Sequence, residues 1–177
     1  MPLLLALLAL QAAAERLPAS IFNPSFERDL QGWLSDSNER GYRAGAAEEV
    51  DYNSGRAADG RSWLHIGWAS RRGTPPGAYY RLTTRIDAQR YRGRTVAFSA
   101  AVRLPEHAHR AAALTARVVG PAGASESEQR LNAGPAWRRE RLVFRVARDA
   151  GSIELGFLVD GRGGELEADA VRLQIQR

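Results

Sequence analysis

Apolar residues recur at every second position along most of this chain. Val96, Phe98, Ala100 and Val102 alternate with Thr95, Ala97, Ser99, Ala101 and Arg103. Leu142, Phe144 and Val146 do the same, as do Ile153, Leu155, Phe157 and Val159, and then Val171, Leu173 and Ile175. A period of two sends alternate side chains to opposite faces of a strand. One apolar face and one mixed face is the pattern of a half-buried antiparallel sheet. Leu64 with Ile66, Tyr80 with Leu82, and Leu114 with Ala116 and Val118 give shorter runs of the same kind. Turn signals separate them: Asp59-Gly60, Pro75-Pro76-Gly77, Arg92-Gly93, Gly120-Pro121-Ala122-Gly123, Gly134-Pro135 and the glycine-rich stretch 161–164. No helix-period segment is long enough for an α/β fold. Many short strands with such turns predict an all-β chain, folded as an antiparallel β-sandwich or closed barrel.

The N-terminus breaks the pattern. Leu3 to Leu10 is almost all leucine and alanine, and Ala12-Ala13-Ala14 follow. That run is too short to span a bilayer but fits the apolar region of a secretory signal peptide with small residues at its cleavage site. Residues 1–14 are therefore expected to be a signal peptide and residues 15–177 one β-sandwich domain. The protein is expected to be exported, to the periplasm or the extracellular space, with no transmembrane segment in the mature chain. Cysteine is absent, which excludes disulfides, zinc–thiolate sites and a thiol nucleophile. The net charge of +5 comes from 25 basic residues, every one an arginine, set among 20 carboxylates. Such dilution favours anionic partners only weakly, and nucleic acid is not expected as one.

Three ordered segments carry a resemblance. Asn23-Pro-Ser-Phe-Glu27 is followed by Gly32-Trp33. Tyr91-Arg-Gly-Arg94 leads into the run from Thr95 to Arg103. Trp137 precedes two alternating runs that end in Leu166-Glu-Ala-Asp-Ala-Val-Arg-Leu173. In this order they resemble the galactose-binding-like jelly rolls, in particular the carbohydrate-binding modules appended to bacterial xylanases and cellulases. The chain departs from that pattern at Ala170, where relatives carry a second aspartate, and in its arginine-rich strand faces. The resemblance implies a jelly-roll sandwich, Phe26 and Trp33 as core anchors, and a structural calcium held by Glu27 and Asp169. The loop from Asn53 to Gly60 would supply further oxygens, since calcium takes six to eight.

No constellation for catalysis stands out. A nucleophile elbow, a His-Glu-x-x-His motif and a Walker loop are all missing, and Asp160 to Glu165 reads as a hairpin turn rather than a phosphate loop. His107 and His109 read as solvated loop, and His65 faces away from Leu64 and Ile66. The chain is read as a non-enzyme. Sugar sites set flat aromatic rings beside planar polar groups. The aromatics out of phase with the core are Trp68 and Tyr79, then Trp63 and Tyr42. Arg117, Arg141, Arg145 and Glu154 fall on mixed faces, and if those strands are neighbours they make one concave arginine-bearing surface. Arginine forks match carboxylates and sulfates, so Arg141 and Arg145 are the expected clamp for a polysaccharide or glycan, including an acidic one. The competing reading is an envelope domain that binds protein and no sugar.

Overall fold

The computed structural model describes residues 16–38, 46–52, 56–68, 77–105, 108, 111–161 and 164–177, without the side chains of residues 46, 47, 52 and 68. The leader, Tyr42, His107, His109 and the side chain of Trp68 lie outside the described residues.

Eleven strands run in chain order: β1 (Glu27–Leu30), β2 (Leu34–Ser37), β3 (Ala46–Tyr52), β4 (Ser62–Trp68), β5 (Tyr79–Asp87), β6 (Thr95–Arg103), β7 (Ala112–Gly120), β8 (Gly123–Arg130), β9 (Arg138–Arg145), β10 (Ser152–Asp160) and β11 (Leu166–Ile175). A 3₁₀ turn, Gln89–Tyr91, joins β5 to β6, and no α-helix occurs among the described residues. Two five-stranded antiparallel sheets form. The first has the order β2-β5-β10-β7-β8, the second β3-β4-β11-β6-β9. The expected all-β jelly-roll sandwich is therefore the fold, and the alternating runs are its strands.

The core lies between the sheets. Leu82, Ile86, Leu114, Ile153, Leu155 and Phe157 from the first meet Leu64, Ile66, Phe98, Val102 and Leu166 from the second, all without meaningful exposure. Phe26 and Trp33 join them as the opening motif requires: Trp33 lies 5.2 Å from Phe26 and 5.8 Å from Phe157, ring to ring. Asn23 makes that approach possible. It sits in the left-handed region at φ 55°. Its Nδ2 donates to the Asp29 carbonyl, its Oδ1 accepts from the Arg28 N–H, and its own carbonyl accepts from the indole of Trp33. An asparagine side chain can satisfy a tight turn in this way at little strain cost.

Two expectations are corrected here. The stretch from Asp160 to Glu165 is not a hairpin, because β10 and β11 belong to opposite sheets. It is a crossover, pinned by the Gly161 N–H on the Ala78 carbonyl and the Gly164 N–H on the Asp160 carbonyl. Nor do the four mixed-face residues share a surface. Arg117 and Glu154 are on β7 and β10 of the first sheet, while Arg141 and Arg145 are on β9, which pairs with β6 at the edge of the second.

Candidate functional site

The outer face of the first sheet holds a groove of about 300 Å³. Register builds it. Thr83 of β5 and Thr115 of β7 both stand opposite Gly156 of β10. The middle of the sheet thus has a glycine flanked by two small threonines. A Cβ at Gly156 would come 2.4 Å from the Leu82 carbonyl oxygen and 2.7 Å from the Thr83 methyl, so the position excludes any other residue without backbone shifts. Tyr79, Arg81 and Leu158 form one side of the groove, with Arg117, Glu126 and Glu128 on the other.

Charge in the groove runs opposite to the charge of the chain. Asp36, Glu126, Glu128 and Glu154 line it against Arg81 and Arg117. Arg117 is already engaged, 3.1 Å from Glu154 and 3.5 Å from Glu126. Arg81 reaches Asp36 at 3.4 Å, and its guanidinium lies 5.6 Å from the centre of the Tyr79 ring. Tyr79, half-buried at the mouth, is the expected platform residue that this groove does contain.

The other expected ligand residues are placed elsewhere. Trp63 is 4% exposed. Its indole N–H donates to Glu167, and the guanidinium of Arg103 lies 5.5 Å above its ring. It does point outward, as its phase predicts, but Arg103 and Glu167 cover it, so it is no platform. The same Arg103 lies 4.6 Å from the ring centre of Trp137, making an indole–guanidinium–indole stack. Trp68 ends β4 in the second sheet, whereas Tyr79 opens β5 in the first. Arg141 and Arg145 are exposed on β9, with Arg172 of β11 aligned to Arg141 through Ser99 of β6. Among the described residues no carboxylate pairs with Arg141, Arg145 or Arg172. The charge of Arg172 helps to hold Arg139 below its ordinary pKa, after burial, which contributes most.

Glu27 and Asp169 do converge, on the turn between Arg56 and Ser62. Glu27 Oε1 accepts from the N–H groups of Arg61 at 2.6 Å and Ser62 at 2.8 Å. The Arg61 N–H, more than any other contact, holds the Glu27 carboxyl below its usual pKa. Asp169 Oδ2 accepts from the Asp59 N–H at 2.6 Å and Oδ1 from the Ala170 N–H at 2.6 Å. Asp169 has no exposed surface, and its burial raises its pKa to about 6 despite those bonds. The like charge of Asp59 adds to the rise. Three carboxylates gather on this turn, oxygen donors of the kind calcium takes, although the Arg61 guanidinium also reaches it, with Nε 3.8 Å from Glu27 Oε2. Its N–H groups already engage Glu27 Oε1 and Asp169 Oδ2, and the Ala170 N–H of β11 engages Asp169 Oδ1.

The fold defines a structural class, the antiparallel jelly-roll β-sandwich. No protein-family model and no curated protein matches the sequence. Solved structures do share the fold. A family 61 carbohydrate-binding module crystallised with β-1,4-galactotriose is 13% identical, with a TM-score of 0.57 over 89% of this chain and 99% of that one. The C-terminal family 22 module of Clostridium thermocellum Xyn10B is 13% identical, with a TM-score of 0.57 over 89% and 93%. The enzymatically active domain of bacteriophage CBA120 tailspike protein 4 is 15% identical at a TM-score of 0.66; the match spans 89% of this chain but 21% of the tailspike chain.

Proposed function

We propose that this chain is an exported, non-catalytic module that binds a carbohydrate in the groove of its first sheet. The observation that carries the reading is the groove lining: Tyr79, Thr83 and Thr115, the two threonines kept apart by Gly156 of the strand between them. A pyranose laid there would meet a flat ring, two hydroxyls and several carboxylates that accept from sugar hydroxyls. The modules with the same fold, one of them solved with a galactotriose, support it.

The charge of the groove bears on which glycan. Its arginines are paired and its carboxylates outnumber them, so a neutral glycan suits it and an acidic one does not. An acidic glycan is met instead by Arg141 and Arg145, on the opposite sheet, where no carboxylate competes among the described residues. This second site is carried by that lack of pairing.

A panel of soluble and insoluble polysaccharides at low and moderate salt tests both. Neutral-glycan binding should lose about tenfold or more in Tyr79→Ala and hardly change with salt, because stacking is not screened. Acidic-glycan binding should fall with salt and with Arg141→Ala or Arg145→Ala. If no polysaccharide is retained even at low salt, the sugar reading fails and binding of an envelope protein replaces it. A structural calcium at Glu27, Asp59 and Asp169 belongs to the same proposal. When bound it would neutralise three carboxylates and fix the turn from Arg56 to Ser62, which the N–H groups of that turn already hold in place.

A further inference from the structure

On the outer face of the second sheet, Glu49 and Asp51 of β3 stand two residues apart, and Glu49 is directly opposite His65 of β4. Residues two apart on a strand share a face, so the ladder itself delivers two carboxylates and an imidazole to one spot. One donor atom from each lies within 4.8 Å of the others. His65 Nδ1 is 3.1 Å from Glu49 Oε1. A tetrahedral zinc ion with bonds near 2.0–2.1 Å separates its ligand atoms by about 3.4 Å, so this spacing is close to what coordination requires.

Three further observations distinguish this group from ordinary surface charge. The first is the far side of the imidazole. His65 Nε2 lies 3.3 Å from Glu165 Oε1. With Nε2–H donating to Glu165, Nδ1 presents its lone pair toward Glu49 and Asp51. A carboxylate behind the histidine is how metal-binding imidazoles are oriented and made more basic. The second is the pairing of charge. Several outward carboxylates on the strands take arginine partners: Asp36 with Arg81, Glu126 and Glu154 with Arg117, Glu128 with Arg130, Glu167 with Arg103. Glu49 and Asp51 have no arginine among the described residues, although the chain carries 25 basic residues. The third is Gly67, where a Cβ would come 3.3 Å from His65 Nε2. The glycine leaves that ring edge room to meet Glu165.

We propose that Glu49, Asp51 and His65 bind a divalent transition-metal ion of the zinc class, with Glu165 as the residue that orients the imidazole. Mixed nitrogen and oxygen ligation selects such an ion over calcium, which takes oxygen. Three protein ligands leave a fourth position for water or a group from outside the chain. This site is separate from the groove and from the Glu27–Asp169 turn, and it does not rest on the carbohydrate reading.

The experiment titrates zinc into the full chain after chelator treatment, by calorimetry, and repeats it with cobalt, whose visible absorption reports coordination. One ion per chain is expected. Asp51→Asn, nearly isosteric, and His65→Ala should each weaken binding at least tenfold. Glu165→Gln should weaken it about tenfold, the lower end for an outer carboxylate. His107→Ala/His109→Ala, which removes the other histidines of the chain, should bind as the wild type does. Circular dichroism checks that each variant keeps its β-sheet spectrum. Zinc affinity unchanged in Asp51→Asn, binding lost in the His107/His109 variant, or no binding by the wild type at millimolar zinc would each overturn the assignment.

Discussion

Asp169 is a carboxyl with no exposed surface, and its pKa of about 6 has a thermodynamic consequence. In the unfolded chain it ionises near its ordinary 3.8. Between those two values the folded state binds more proton than the unfolded state. Stability from this group therefore falls as pH rises from about 4 to about 6 and is level above that. At about 1.4 kcal/mol per unit, the fall is at most about 3 kcal/mol. Glu27, whose pKa is lowered, works the other way, adding stability above its unfolded pKa and losing it as pH falls. Urea unfolding of the wild type and Asp169→Asn across pH 4–7 separates them. The difference in stability between the two proteins should change through that window, and a constant difference would contradict the raised pKa. Gly60 is the second sensitive residue of this turn. Its φ is +72°, and a Cβ there would lie 2.4 Å from Glu27 Oε1. Gly60→Ala should therefore cost about 1–3 kcal/mol, from backbone strain and the displaced carboxylate together, read as a shift in the urea midpoint.

Among the elements, those legible in the sequence set their larger apolar residues on one face. β9, β10 and β11 alternate visibly because alternate residues enter the core, and β6, buried on both faces, because Val96, Phe98 and Val102 enter it while Ala97, Ser99 and Ala101 lie on the other face. β8 does not: Gly-Ala-Ser-Glu-Ser-Glu-Gln-Arg has no buried residue on either face, since it is the outermost strand of its sheet and covers nothing. Its charges suit an edge that must not pair with another chain. β2 escapes notice for the same reason, as the opposite edge. Strand phase also placed Trp63 correctly as outward yet could not show what lies over it, because Arg103 and Glu167 arrive from β6 and β11. The opening and closing motifs carry Glu27 and Asp169, and the fold sets both side chains on the turn from Arg56 to Ser62. Nothing in the sequence singled out Gly156, whose meaning depends on two neighbouring strands. The Trp63–Arg103–Trp137 stack gives an element-scale prediction, since it ties β4, β6 and the start of β9. Arg103→Ala should destabilise by about 2 kcal/mol, with two cation–π contacts of about 0.5–1 kcal/mol each and an ion-paired Glu167 left without its partner. Arg103→Lys should recover little, since an ammonium cannot stack between two indoles while pairing with Glu167. Urea unfolding followed by tryptophan fluorescence measures both.

At the scale of the whole molecule, the turn from Arg56 to Ser62 is where the first and last strands are joined. Glu27 lies at the start of β1 and Asp169 within β11, and the Val171 N–H donates to the Pro24 carbonyl beside them. Whatever holds this turn holds both ends of the sandwich in register. Two agents can do so: the N–H groups of the turn alone, or those together with calcium. They separate by mass action. An ion that binds only the folded state adds about 2.7 kcal/mol at a hundredfold excess over its dissociation constant. For a chain of this size about 1 kcal/mol moves Tm by 2–4 °C, so melts in calcium and in chelator should differ by roughly 5–10 °C. Asp169→Asn, which removes one negative charge and one oxygen ligand, should abolish that difference. Calcium should also level the pH dependence assigned to Asp169, because a bound cation keeps the carboxylate ionised through the same window. Identical wild-type melts after exhaustive chelation would remove calcium and leave the hydrogen-bonded turn as the sole clasp. The slope from pH 4 to 6 would then persist in calcium, so the two measurements check each other on one group.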